Sequence, residues 1–261
     1  MDRKSAHANL NPADITVVVL TKNEAANIAS ALATAPLEAR LIVVDADSSD
    51  RTAALARAAG ARVVERRWAG FVDARRYAVS LVETPWTLML DADERIDAGL
   101  REAIGRIPGD SAVDGYRVRR VTYFCGKAIR GAGWGEERLL RLFRTGTADV
   151  ESRPAGGGDA ELHERWIVSG LIRDLPGKLD HHSYPTVSAY RKKFAQYTAL
   201  EAASLRITAW RVAGRILRVP LQFAWLFFVR GGWQDGWRGA FVCAGSALYP
   251  AVVAIKARRQ R

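Results

Sequence analysis

Between Ile15 and Leu90 four short, almost wholly apolar runs alternate with helix-patterned segments: "ITVVVL" (15–20), "ARLIVVD" (39–45), "ARVVE" (61–65) and "PWTLML" (85–90). A strand that is apolar at nearly every position has no face to offer water, so both faces must be covered, and the helices between the strands are what can cover them. The intervening segments carry helix signals of their own. Asn23 can cap the helix in "NEAANIASALAT", Ser48 or Ser49 can cap the one in "SSDRTAALARAAG", Gly60 can end it, and a third helix is predicted around Val72 to Val82. The fold class that follows is α/β, with a mostly parallel sheet covered on both faces.

In such sheets a ligand binds beyond the carboxyl ends of the strands. That rule gathers three polar clusters: Thr21-Lys22-Asn23-Glu24 after the first strand, Asp45 to Asp50 after the second, and Asp91 to Glu94 after the fourth. Asn23, Ser48 and Asp50 can equally be helix caps and nothing more. The third cluster, in "TLMLDADERI", is harder to explain structurally, because Asp91 and Asp93 repel each other unless a positive group lies between them. A divalent Mg²⁺ or Mn²⁺ is the natural partner for such hard oxygen ligands, and these ions keep positions open for substrate phosphates. If Asp91 and Asp93 continue the strand, their spacing turns both carboxylates to one side. A metal held there would act as the Lewis acid for departure of a diphosphate. The chain has no Gly-x-x-x-x-Gly-Lys-Ser/Thr loop and no Gly-x-Gly-x-x-Gly after the first strand, so phosphates fall to the metal and to Arg side chains.

The middle of the chain, from about Asp114 to Asp180, reads differently. "DGYRVRRVTYF" alternates as a strand does, "RGAGWGEERLLRLFR" is a glycine-rich loop entering a basic strand or helix, and "RPAGGGDAELHERW" is a second loop closing on His163-Glu164-Arg165. Loops of this kind suit an acceptor-binding wall and a mobile lid. Of Arg138, Arg141 and Arg144, interleaved with leucines and Phe143, at least one is expected to bind a diphosphate or an anionic acceptor. Cys125 and Cys243 lie far apart, which fits a reduced setting.

The net charge of +11 would suggest nucleic acid if it were spread over the chain. From Thr186 onward, however, there are 13 Lys/Arg against Glu201 and Asp235, so the whole excess is C-terminal and the first 185 residues balance. There the basic groups interleave with Trp, Phe and Leu, which argues against a nucleic-acid partner and for an anionic membrane surface. The longest uncharged run, Gly239 to Ile255, falls short of the ~20 residues a bilayer span needs. Amphipathic or re-entrant helices in the interface are expected; a soluble helical appendage and a spanning hairpin are the alternatives. The expected organisation is a flexible tail over 1–12, an α/β domain over 13–185 and a basic, apolar helical membrane-association region over 186–261.

"VVVLTKNEAANI", "LIVVDADSSDRT" and "LMLDADERI", in this order and spacing, resemble the nucleotide-sugar-binding half of inverting family 2 glycosyltransferases of the GT-A fold. "RGAGWGEERLLRLF", "LHE" and "VRGGWQDGWRGAFVCAGSALYPAVVAIK" resemble the branch that contains lipopolysaccharide inner-core β-1,4-glucosyltransferases. The resemblance implies that Thr21, Glu24 and Asp45 hold the base and ribose of a UDP-sugar, with Arg138 also on the donor. It further implies that Asp91 lies near ribose and metal, that Asp93 is the main ligand of Mg²⁺ or Mn²⁺, and that Glu164 is the general base. An inverting displacement needs one such carboxylate, opposite the leaving group, to take the acceptor's proton. His163 would orient Glu164 or serve as a further metal ligand. The expected reaction moves a hexose, glucose from UDP-glucose, to a lipid-linked glycan such as lipopolysaccharide inner core, at the cytoplasmic face of the inner membrane. Transfer to a polyprenyl phosphate, and a non-catalytic membrane-surface protein, are the rival expectations.

Overall fold

A computed structural model of the chain describes residues 9–135, 137–152 and 164–260. In chain order its elements are β1 (Ile15–Thr21), α1 (Ile28–Leu32), β2 (Arg40–Asp45), α2 (Thr52–Ala58), β3 (Arg62–Glu65), α3 (Phe71–Ser80), β4 (Trp86–Asp91), β5 (Glu94–Ile96) and α4 (Ala98–Gly105). Then come β6 (Gly115–Phe124), β7 (Lys127–Ala128), β8 (Arg138–Arg144), β9 (Ala148–Ser152), β10 (Glu164–Val168), β11 (Ile172–Tyr184), α5 (Val187–Ser204), α6 (Ala209–Ala224) and α7 (Gly236–Arg259). They form two compact units. One comprises the chain to Arg120 with Arg138–Glu151 and Glu164–Asp180; the other holds Val121–Glu137 and His181–Arg261.

In the first unit β3, β2, β1 and β4 lie side by side and parallel, the doubly covered arrangement that their composition requires. Successive residues of β1 point into two different cores. Ile15, Val17 and Val19 pack with Leu88, Leu90, Leu100 and Leu142, whereas Val18 packs with Ile42, Val44, Met89 and Phe143. Beyond β4 the sheet continues with β8, antiparallel to β4, and β6, antiparallel to β8, before β11 and β5. The basic run "RLLRLFR" is thus a strand rather than a helix. Asp97 caps α4 by accepting the Leu100 amide at 2.7 Å, and the Lys178 amide donates to the same oxygen at 3.0 Å. The chain must pass close here: Gly177 has φ +88, and a Cβ on it would stand 2.2 Å from the Leu100 nitrogen.

Asn9 to Pro12, expected within a tail, are anchored. The Leu10 amide donates to the Ile107 carbonyl at 2.6 Å, the Leu10 side chain is buried in the core, and Asn11 caps a 3-10 turn over Pro12–Asp14. Residues 1–8 lie outside the described residues.

The second unit is dominated by α5, α6 and α7. A π-helical turn, Trp225–Val229, extends α6, and a 3-10 turn, Gly232–Asp235, leads into α7. The helical stretches Ala209–Val229 (21 residues) and Gly232–Arg259 (28 residues) each contain an 18-residue window apolar enough, at mean hydropathy 1.4 and 1.6, to cross a membrane by length and composition. Arg230 falls at the break between the two stretches. They differ in burial. α7 buries Val242, Cys243, Ala247, Ala251 and Val253, whereas α6 presents Leu217 and Leu221 more than 70% exposed. Both cysteines are free thiols.

Candidate active site

The register of the parallel strands brings the sequence clusters to one edge. Thr21 is paired with Asp45 across β1 and β2, and Leu20 with Asp91 across β1 and β4. The loops that follow β1 and β2 are laced to each other. Asp45 is buried, and its carboxylate accepts the Ser48 amide at 2.9 Å and the Ser48 hydroxyl at 2.6 Å. The Asn23 amide donates to the Ser48 hydroxyl at 2.8 Å, and the Asn23 side-chain oxygen accepts the Ser49 amide at 2.8 Å. The Glu24 amide donates to the Thr52 hydroxyl at 2.8 Å, and the Ala25 amide to Asp50 at 3.2 Å.

These bonds correct the capping expectation. Asn23 has φ +55 and bridges two loops, α1 begins only at Ile28, and Ser48 serves Asp45 rather than a helix end. Asp50 accepts the Thr52 amide at 2.9 Å just before α2, a local turn bond, while the N-cap position itself is Arg51 with no side-chain cap. The Thr52 hydroxyl, with smaller help from backbone amides, holds the Asp50 carboxyl below its ordinary value. Glu24 accepts the Asn27 amide group at 2.7 Å. The Thr21 hydroxyl, at the end of β1 beside Asp45, is buried without a hydrogen-bond partner among the described residues. A buried hydroxyl left in that condition is costly unless an incoming group satisfies it.

The acidic cluster is built around a cation supplied by the protein itself. Arg141, from β8, is 6% exposed, and its Nη2 lies 2.6 Å from an oxygen of Asp91 and 2.6 Å from an oxygen of Glu94. Glu94 is fully buried; its other oxygen accepts the Asp91 amide at 3.0 Å, and Arg120 stands 3.7 Å away. Burial works against charge on Arg141, but Asp91 and Glu94 outweigh it, so its pKa is raised. Burial likewise opposes ionisation of Asp91; the Arg141 guanidinium overcomes both that and the repulsion of Asp93, and holds the Asp91 carboxyl below its ordinary value. Arg75, from α3, also acts on Asp91.

Asp93 is not on the strand. β4 ends at Asp91, Ala92 and Asp93 form a turn, and β5 begins at Glu94. The two carboxylates are therefore neighbours through the turn rather than through the pleat. Asp91 has one oxygen on Arg141, and its Oδ1 has no hydrogen-bond partner among the described residues. Asp93 acts on Arg95, whose guanidinium is tied to the Ala92 and Glu94 carbonyls at 3.1 and 2.8 Å. Among the described residues no three His, Cys, Asp or Glu are grouped to hold a metal ion. Two carboxylates without a third protein ligand suit a hard cation that takes its remaining ligands from substrate phosphate and water.

Other sequence candidates fall elsewhere. Arg138 is exposed and pairs with Asp174 at 3.5 Å, so the structure does not bring it into the acidic cluster. Arg144 hydrogen-bonds the Ser111 and Val113 carbonyls and lies over the Trp86 ring. Glu164 opens β10, which pairs with β9, but its side chain lies outside the described residues, as do His163 and Glu136. His181 and His182 lie within β11, one hydrogen-bonded to Thr122 at 3.2 Å and the other stacked on Tyr123. In the sequence Glu94 stands in the acidic cluster without an expected role, and the expectation placed on Arg138, Arg141 and Arg144 does not separate Arg141 from the other two. The available signal was a charge between Leu140 and Leu142 in a strand otherwise set for burial.

Residues 16–150, just over half of the chain, match the family described as Glycosyl transferase family 2, and the chain belongs to that family. It is a glycosyltransferase of GT-A-like α/β fold. Over 254 residues it is 26% identical to "Lipopolysaccharide core biosynthesis glycosyltransferase LpsC" of Rhizobium meliloti (strain 1021), covering 93% of this chain and 91% of that protein. An uncharacterized glycosyltransferase of Rickettsia felis is 38% identical over 108 residues, 41% of this chain and 38% of its own length. Among solved structures, the mannosyltransferase PcManGT from Pyrobaculum calidifontis, in complex with GDP-Man and Mn²⁺, aligns over 97% of this chain and 90% of its own with a TM-score of 0.52. At 14% identity that likeness establishes the fold alone.

Proposed function

We propose that the chain is a metal-dependent inverting glycosyltransferase that moves a hexose, glucose from UDP-glucose, to a lipid-linked glycan such as lipopolysaccharide inner core. The observation that carries this reading is the register that sets the unsatisfied Thr21 hydroxyl and Asp45 at the same end of the sheet as Asp91, with Asp93 in the turn beyond it. Asp45, fixed by Ser48, accepts hydrogen bonds from the base or ribose; Thr21 completes that contact, and Glu24 lies beside it. Asp93, with the Oδ1 of Asp91, would hold Mg²⁺ or Mn²⁺, which would supply Lewis acidity for departure of the diphosphate. Arg141 fixes Asp91 in place, and Arg75 adds positive charge on the same side. Arg138 remains a candidate for the donor phosphates only if its pairing with Asp174 is exchanged for them. Glu164 is the proposed general base: as the acceptor oxygen bonds to the anomeric carbon and the bond to the diphosphate breaks, the acceptor's proton passes to that carboxylate.

The 13 basic residues after Thr186 and the exposed apolar side of α6 support docking on an anionic bilayer, at the cytoplasmic face where nucleotide sugars are made available to lipid-linked acceptors. The length of the two C-terminal helical stretches also favours a second reading, transfer to a polyprenyl phosphate. The deciding experiment is calorimetric binding and hydrolysis of UDP-, GDP- and dTDP-sugars, with and without Mn²⁺ or Mg²⁺, on wild type and Asp93→Ala. Metal-dependent preference for UDP-glucose, lost in the variant, is expected. Equal binding by the variant would remove Asp93 from the metal, and no binding by wild type would sink the donor reading.

A further inference from the structure

The second unit contains a cavity of roughly 270 Å³ that the donor chemistry does not use. Its walls are Trp134, Tyr184, Tyr190, Phe194, Tyr197 and Tyr249. The aromatic rings brace one another: Trp134 lies 5.5 Å from Tyr184 and stacks near Tyr190 at 6.4 Å, and Phe194 meets Tyr249 edge-on at 5.6 Å. Trp134 is carried by a tight turn, with its amide donating to the Gly131 carbonyl at 3.1 Å and the Ala132 amide bonded to the Arg230 carbonyl at 2.9 Å. The floor is α7. Gly245 lets the helix reach the rings, since a Cβ there would sit 2.0 Å from the Tyr190 hydroxyl.

The polar atoms around this cavity set it apart from a lipid slot. Five of its six rings carry an N–H or O–H edge, and although Tyr249 is engaged by Glu201, the Tyr197 ring is 38% exposed at the mouth. Burial, aided by Tyr184, pushes the Tyr190 phenol up to about 12, so it stays a protonated donor. Ser246 adds a hydroxyl, and its carbonyl lacks the usual helical donor because Pro250, four residues on, has no N–H. An alkyl or isoprenoid chain would offer no partner to the Tyr190 and Tyr197 hydroxyls it covered, at a cost for each. A pyranose ring presents C–H faces to aromatic planes and hydroxyls around its rim, and one ring is the size this space accepts.

We propose that this aromatic cavity is a saccharide subsite that binds one pyranose unit of the acceptor glycan, stacked between Trp134 and Tyr197. Its assignment to the acceptor rests on the glycan-transfer reading above, whereas its capacity to bind a sugar does not. The test uses the full-length protein labelled with 5-fluorotryptophan, observed by ¹⁹F NMR, with Trp134→Phe identifying the Trp134 signal among the 8 tryptophans. Delipidated lipopolysaccharide core oligosaccharide is titrated against wild type and Tyr197→Ala, with farnesyl phosphate as a parallel ligand and UDP-glucose binding as a folding control. A saturable shift of the Trp134 signal with oligosaccharide is expected, weakened about fivefold or more in Tyr197→Ala while UDP-glucose binding is kept. An unmoved Trp134 signal, or one moved by farnesyl phosphate and not by oligosaccharide, would overturn the proposal. An oligosaccharide shift in a protein that transfers sugar from no donor would leave the subsite standing and refute the acceptor assignment and the proposed reaction.

Discussion

Replacing Arg141 by methionine isolates the physics of the acidic cluster. The side chain is 6% exposed and serves two carboxylates, of which Glu94 is fully buried, with Arg120 farther off at 3.7 Å. Breaking a buried pair by removing one partner costs about 3–5 kcal/mol, because a charge is left uncompensated. Arg120 recovers part of this, so a loss of about 3 kcal/mol is expected. For a chain of this size that corresponds to a fall in Tm of roughly 6–12 °C. Guanidinium unfolding of wild type, Arg141→Met, Glu94→Gln and the double variant separates the terms. With Arg141 and Glu94 both neutral, the fully buried carboxylate is no longer left uncompensated and Asp91 alone loses its partner, so the double variant should regain at least about 1.5 kcal/mol relative to the sum of the singles. A loss in Arg141→Met below about 1 kcal/mol, with additive singles, would show that Arg141 is solvated and that the geometry described for it is wrong.

Three further outcomes are expected. The Asp91 carboxyl is held below its ordinary 3.8, so it contributes stability above that pH and loses it as pH falls through the folded value; acid unfolding below about pH 4 should lose part of its slope in Asp91→Asn, followed by circular dichroism. Thr21→Val removes an unsatisfied buried hydroxyl and should leave stability unchanged or raise it slightly, by up to about 1 kcal/mol, while UDP-glucose affinity falls about five- to tenfold; lower stability with unchanged affinity would mean that the hydroxyl is satisfied within the protein. Leu217 and Leu221 are 74% and 72% exposed, so Leu217→Glu with Leu221→Glu should change the unfolding free energy by no more than about 0.5 kcal/mol yet cut sedimentation with anionic vesicles more than tenfold, whereas retained binding would move the membrane contact off α6.

What could be read from the sequence was whatever one strand and its immediate continuation decide. The apolar runs fixed β1 to β4 and their parallel order, because a strand buried on both faces leaves no other sheet, and the polar residues at their ends then had to share an edge. Local pattern could not show what one loop does to another. Asn23 and Ser48 look like caps to any reading confined to their own helices, and only the register that brings β1 against β2 turns them into a bridge across the two loops. The same holds for charge. Asp91 and Asp93 repel in sequence, and a metal was the partner to infer because Arg141 lies about 50 residues away along the chain. With Arg141 in place the cluster no longer needs a cation for its own stability. Asp91 and Glu94 are thus balanced by a cation of the fold, whereas Asp93, in the turn beyond the strand, acts on Arg95 and is the carboxylate on which the proposed metal role rests.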